Sequence, residues 1–162
     1  MKKFLFSLFL AVSLFGVTTS YALECAQSPE PQNGGAENCV TSVYNNSGAA
    51  LDDGDVVVWD VGSSTGDNDN WVTTSTTADT YLVAGVVEGS IGVADSGFIT
   101  VRGVTNVDTQ TVGGLNTVNG LACTSTTAGA AKSCATVEAA NFGIVTTVGA
   151  SSSANVCVYC NK

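Results

Sequence analysis

Apolar and polar positions along this chain alternate in the manner of short strands. Residues 81–87, YLVAGVV, and residues 97–102, GFITVR, are rich in β-branched and aromatic side chains, with Gly, Ser and Asp between them. They read as two strands closed by a turn-rich loop. A shift of 58 positions places Gly85, Val86 and Val87 on Gly143, Ile144 and Val145. The same shift, without a gap, places residues 98–101 (FITV) on residues 156–159 (VCVY). Read as a duplication, this makes the protein two copies of one strand–loop–strand unit closing a common β core.

The other segments extend that pattern. Residues 40–44 form a candidate first strand, and Asn45-Asn46-Ser47-Gly48 turns the chain. The strongest single strand is residues 56–61, VVVWDV. Val56, Val58 and Asp60 share one face, and Val57, Trp59 and Val61 share the other. Apolar side chains on both faces at its centre predict a strand covered on each side. Residues 62–70, GSSTGDNDN, read as a loop, and residues 71–80, WVTTSTTADT, as a Thr-rich returning strand. Residues 105–119 form a second polar stretch, and residues 121–127 begin the second copy's opening strand. Residues 126–138 are the one weakly helical piece, with a disulfide-closed loop as the alternative. Residues 141–147 and 155–161 form the closing pair. No long helical period occurs. The expected fold is all-β: one sandwich or barrel of about eight to ten short strands, stapled by disulfides, with irregular loops at 62–70 and 105–119.

The first residues follow a different logic. Met1-Lys2-Lys3, an apolar run over 4–17 and the small-x-small triplet Ser20-Tyr21-Ala22 have the form of a signal peptide, residues 1–22. The run is shorter than the about 20 residues of a membrane span. An exported protein of bacterial style follows, secreted or held at the cell surface, with no membrane span in the mature chain. Residues 23–40 read as an extended N-terminal arm, since Pro29 and Pro31 fix an extended path before the Asn33-Gly34-Gly35 turn. The arm is either a surface tail tied down by disulfides or a connector to a neighbouring subunit. Residues 41–162 form the β domain.

Charge narrows the partners. The whole chain carries a formal charge of −9, and removal of Lys2 and Lys3 leaves three basic residues against 14 acidic ones, a balance of −11. Such a surface repels nucleic acid and anionic lipid and favours divalent cations. Six cysteines in an exported chain, Cys25, Cys39, Cys123, Cys134, Cys157 and Cys160, read as three disulfides with 15 conceivable pairings. Cys123 and Cys134 flank one loop and suit a local bridge. Cys157 and Cys160, three apart in a strand, point to opposite faces and do not suit each other. The economical pairing joins them to Cys25 and Cys39, stapling the arm to the last strand.

The chain has no histidine, which removes Ser-His-Asp and Cys-His catalysis and His-ligated zinc. A zinc or redox role for Cys157 and Cys160 would need four thiolates or a following helix. A glycosidase-like pair among Asp52, Asp53, Asp55, Glu88 and Asp95 is selected by no spacing. Asp67, Asp69 and Asn70 are candidate Ca²⁺ ligands, because a hard cation collects oxygen donors, yet the Gly and terminal Glu of a calcium loop are missing. The expectation is therefore no enzyme and no cofactor, with Ca²⁺ the one cation to consider.

The order Gly54-Asp55-Val56-Val57-Val58, Leu82-Val83-Ala84-Gly85-Val86-Val87 and Gly97-Phe98-Ile99-Thr100-Val101-Arg102-Gly103-Val104 resembles bacteriophage capsid-decoration, or head-stabilising, β domains. Residues 121–129, 142–145 and 156–158 are similar to the closing half of such domains, so the resemblance spans about residues 48–159. It implies a compact β domain that self-associates or lies over a larger lattice without catalysis. The export signal and six cysteines depart from that family and point to the same kind of module outside the cell. The expected function is thus an exported structural protein that forms a homo-oligomer or polymer through strand edges or the N-terminal arm. The alternative is an extracellular glycan- or Ca²⁺-binding module built on Trp59, Trp71 and the acidic loop.

Overall fold

A computed structural model describes the backbone of residues 24–26 and residues 38–62, 70–109, 114–136, 140–149 and 152–159. The expected signal peptide and most of the arm lie outside the described residues. Within them the chain is all-β, with ten strands and no helix. The first half supplies β1 (Glu24–Ala26), β2 (Asn38–Asn45), β3 (Val56–Trp59), β4 (Trp71–Thr74), β5 (Val83–Glu88) and the 13-residue β6 (Ser96–Asp108). The second half supplies β7 (Leu121–Thr124), β8 (Ala131–Ser133), β9 (Asn141–Val148) and β10 (Ser153–Val158). Among the described residues no helix is long and apolar enough to cross a membrane.

The strands follow one another in space as β1-β2-β4-β3-β5-β6-β10-β9-β7-β8, and β2 also pairs with β6. Strands β2, β4, β3, β5 and β6 therefore close into a ring, parallel only at the short β2–β4 contact. Strand β6 takes part twice. Its first half pairs with β2 and β5, and from Gly103 onward it pairs with β10. Gly103 sits at φ 117°, and a Cβ there would collide with the side chain of Asn38, so only glycine fits this change of partner. Beyond β6, Thr109 forms a parallel bridge to Ala131 of β8, which brings β6, β10, β9, β7 and β8 into a second ring.

The two rings are one unit used twice. In space β4-β3-β5-β6 is repeated as β8-β7-β9-β10. The turn Gly54-Asp55 exchanges backbone bonds with Val87 as Asn119-Gly120 does with Val145. Val56 faces Val86 and Val57 faces Gly85, just as Leu121 faces Ile144 and Ala122 faces Gly143. Both units then carry the same β-bulge, with Ala84 and Phe142 as the extra residues. Val40 faces Thr100 in the first unit as Val104 faces Cys157 in the second, so the second half of β6 stands where β2 stands.

The cores match position by position. Val43, Leu51, Val57, Val72, Val87 and Ile99 fill the first. Val107, Leu115, Ala122, Ala131, Val145 and Val156 fill the second. The second core also receives Val56, Val58, Val83 and Val86 from the outer face of β3 and β5. Strands β3 and β5 are thus buried on both faces, as the apolar pattern of residues 56–61 predicts. The second core joins the first unit's outer face to the inner face of the second, which is a sandwich arrangement.

Several local expectations are corrected. Residues 105–108 are strand, because Val107 turns into the core while Val104 and Asn106 alternate outward. The Thr-rich return ends at Thr74, and β5 begins at Val83, so Tyr81 and Leu82 precede the strand. Of residues 126–138, those described form the turn and β8 of the β7–β8 hairpin, which the bridge between Cys123 and Cys134 closes as the disulfide-closed alternative expects. The arm contains a short strand, β1, paired with β2 so that Cys25 lies opposite Cys39. The gap-free shift of 58 holds on β9 but is one residue long on β10. Ile99 faces Val87 and Val156 faces Val145, because the path from Val145 to Val156 is one residue shorter than that from Val87 to Ile99, even with Thr146 as an extra residue in β9. In a strand, one residue exchanges the two faces.

Gly85 and Gly143 occupy the same place in the two units, and both lie against the next strand. A Cβ on Gly85 would strike Thr100 O, and one on Gly143 would come within 2.7 Å of Cys157 O. Gly85→Ala and Gly143→Ala are each expected to cost about 1–3 kcal/mol in urea denaturation. Gly62→Ala, where a Cβ meets nothing, is expected to stay within about 0.5 kcal/mol. Equal stability of all three variants would contradict the close approach.

Candidate functional site

The residues singled out in the sequence fall into separate places. Cys123 is fully buried on β7 and bonded to Cys134, with Cα atoms 5.1 Å apart. Cys39 and Cys157 are disulfide-bonded as well, and no described cysteine is free. The side chain of Cys25, and Cys160 altogether, lie outside the described residues. Asp67 and Asp69 of the candidate Ca²⁺ loop also lie outside them. Asn70, the third member, is half-buried and its carbonyl accepts a hydrogen bond from Tyr44 N at 2.9 Å. Among the described residues no cluster of three or more His, Cys, Asp or Glu side chains is placed to hold a metal ion.

The five carboxylates considered for a glycosidase-like pair are engaged in turns and in local side-chain bonds. Asp53 accepts from Gly89 N at 2.7 Å, Asp95 from Ser96 N at 2.8 Å, and Glu88 from the hydroxyls of Thr100 and Thr105. Asp52, Asp53 and Asp55 do gather with Asp108, which that reading omitted. Asp108 N donates to Gly54 O at 2.9 Å, and Asp55 accepts from Asp52 N at 2.9 Å. This acidic group marks the junction of the units, where the turn before β3 meets the end of β6. Burial raises the pKa of Asp55; the bond from Asp52 opposes this, and the charges of Asp108 and Asp52 add to it. Burial raises Asp108 too, followed by the charges of Asp52 and Asp53.

The tryptophans do not form an open platform. Trp71 packs its ring 5.2 Å from that of Tyr44, and Trp59 is packed against the first core. A different apolar group faces solvent. Val61, Tyr81, Leu82 and Tyr159 are 75%, 80%, 46% and 43% exposed. They lie on neighbouring segments: Leu82 O accepts from Trp59 N, two residues before Val61, and the hydroxyl of Tyr159 donates to Val83 O at 3.0 Å. Tyr159 adopts a left-handed backbone at φ 43° and is tied again by its N–H to Phe142 O. In the sequence Tyr81 and Leu82 look like the start of a strand, and nothing distinguishes them from core positions.

No protein-family model matches the chain, and no curated protein matches it.

Two outcomes are expected. Because the folded pKa values of Asp55 and Asp108 lie above the ordinary 3.8, the folded state holds its protons more tightly than the unfolded chain. These groups therefore oppose folding at neutral pH, and the opposition fades as pH falls through their raised values towards 3.8. Asp108→Asn should melt higher than wild type at pH 7, with the difference shrinking as pH falls and gone below 3.8; an equal or lower melting temperature at pH 7 would contradict this. For the bridge, replacing Cys123 and Cys134 together by Ala should lower stability by about 3 kcal/mol, given a short closed loop. Unreduced, denatured wild-type protein should show no reactive thiol.

Proposed function

We propose that this chain is an exported, non-catalytic structural protein that assembles with copies of itself or coats a larger surface. The observation that carries the reading is the internal packing: one unit of the fold buries an all-valine sheet face, Val56, Val58, Val83 and Val86, against a second unit of the same fold. A unit whose outer face already accepts its own kind is suited to assembly. The exposed group around Tyr81 supplies further apolar surface, and β1 ends the strand order with one edge unpaired by the described strands. Unpaired strand edges invite other chains. The balance of −11 discourages indiscriminate sticking, so association relies on a defined seam. The absence of histidine and the resemblance to capsid-decoration domains point the same way.

The mature protein, beginning at Leu23, is expected to sediment as species larger than a monomer with rising concentration and to form ordered oligomers or filaments under the electron microscope. Replacing Tyr81 and Leu82 by Ser should weaken association about tenfold without lowering the melting temperature, since neither side chain is in the core. A wild-type chain that remains monomeric at all concentrations would end this reading.

A further inference from the structure

Cys39 and Cys157 are disulfide-bonded, and with Cys123 joined to Cys134 the cysteines left to partner them are each other, Cys25 and Cys160. The strand registers decide for Cys39. On β2 it stands between Cys25 of β1 and Arg102 of β6. Cys157, on β10, stands between Val104 of β6 and Ile144 of β9. Residues directly opposite each other in an antiparallel pair have Cα atoms about 4.5–5.5 Å apart. A disulfide spans about 4.4–6.8 Å between Cα atoms. Cys25 is thus the cysteine placed for Cys39. For Cys157 the decisive feature is where its strand stops. An uninterrupted strand would carry Cys157 and Cys160 to opposite faces and about 10 Å apart. Strand β10 ends at Val158, and Tyr159 takes a left-handed backbone at φ 43°, its N–H bonded to Phe142 O at 2.8 Å. A positive φ at the third of four residues is what a type II turn requires, and a turn holds its first and fourth Cα atoms within about 7 Å.

We infer that the two remaining bridges are Cys25–Cys39, across β1 and β2, and Cys157–Cys160, within the turn that ends β10. Each forms by exchange with a disulfide-bearing oxidant. Two thiols give up two protons and two electrons through a mixed disulfide, and the oxidant's own disulfide leaves as two thiols. This pairing differs from the stapling of the arm to the last strand that the sequence suggests. All three bridges are then local, and the arm is fastened by β1 to its own β2. A strand from another molecule can add beside β1 but does not displace it while the bridge stands. The pairing holds whether or not the chain assembles, so its test is separate from that of assembly.

A peptide map of the mature protein, denatured without reductant and with any thiol alkylated at once, tests it. A glutamate-specific protease cuts after Glu37, Glu88 and Glu138, which puts Cys25, Cys39 and the pair Cys157 and Cys160 on three different peptides. The peptides of Cys25 and Cys39 should run as one species that reduction splits. Residues 139–162 should appear alone, lighter by two hydrogen atoms before reduction than after. A Cys25→Ala variant gives a second reading: its new thiol should be Cys39, with residues 139–162 unchanged. A link from residues 139–162 to either other peptide, an alkylated cysteine among these four in wild type, or a new thiol at Cys157 or Cys160 in the variant would overturn the pairing.

Discussion

The structure depends on a pair of strands that cannot face water on either side. β3 and β5 carry valines outward and inward at once, so filling the first ring satisfies only half of them. Val57 and Val87 enter the first core, while Val56, Val58, Val83 and Val86 point out of it. Leaving four valines exposed would forgo roughly 1.5–3 kcal/mol each. The second unit covers them. The first unit is therefore not a domain with a neighbour attached; its sheet is the floor of the next core.

Strand β6 makes that arrangement continuous. One strand of 13 residues serves as the last strand of one ring and the first of the other. The change of partners falls on Gly103, where a side chain has no room beside Asn38. The far end of the same strand carries Asp108 into the turn at Gly54 and Asp55, bringing like charges together at the seam between units. Apolar burial on this scale tolerates that repulsion, since half-exposed carboxylates are screened by water while the valines beside them are not in contact with it.

Much of this was legible in residues 56–61, because apolar side chains at consecutive positions leave a strand no solvent face. The duplication was legible at Gly85-Val86-Val87 and Gly143-Ile144-Val145, where a crowded backbone demands glycine in both copies. It blurred at β10 because the path from β9 to β10 is one residue shorter than that from β5 to β6, which a fixed shift cannot follow. The polar residues 105–108 hid a strand, since only Val107 of that run reaches the core, and the Ala- and Thr-rich residues 126–138 hid a hairpin fixed by a disulfide and not by local propensity. Of the candidate site residues, the cysteine bridge at Cys123 and Cys134 was readable from spacing. The gathering of Asp108 with Asp52, Asp53 and Asp55 was not, as it depends on the register of β6. The exposure of Tyr81 and Leu82 depends on where β5 stops pairing, which is a tertiary matter.

The differences between the two units follow from their order in the stack. The second core must house its own side chains and four valines from outside. Where the first unit has Val57 and Val72, the second accordingly has Ala122 and Ala131. The larger residue stands at the shared bulge, where Ala84 gives way to Phe142, buried in the second core. Cores tolerate such exchanges when total volume is kept. The outer face changes in the same sense. Val58, covered by a neighbour, becomes Cys123, which carries its own cover in the loop to Cys134. The second unit's outer face is thus covered less completely than the first's, with Leu121 and Ile144 half-buried where Val56 and Val86 are buried.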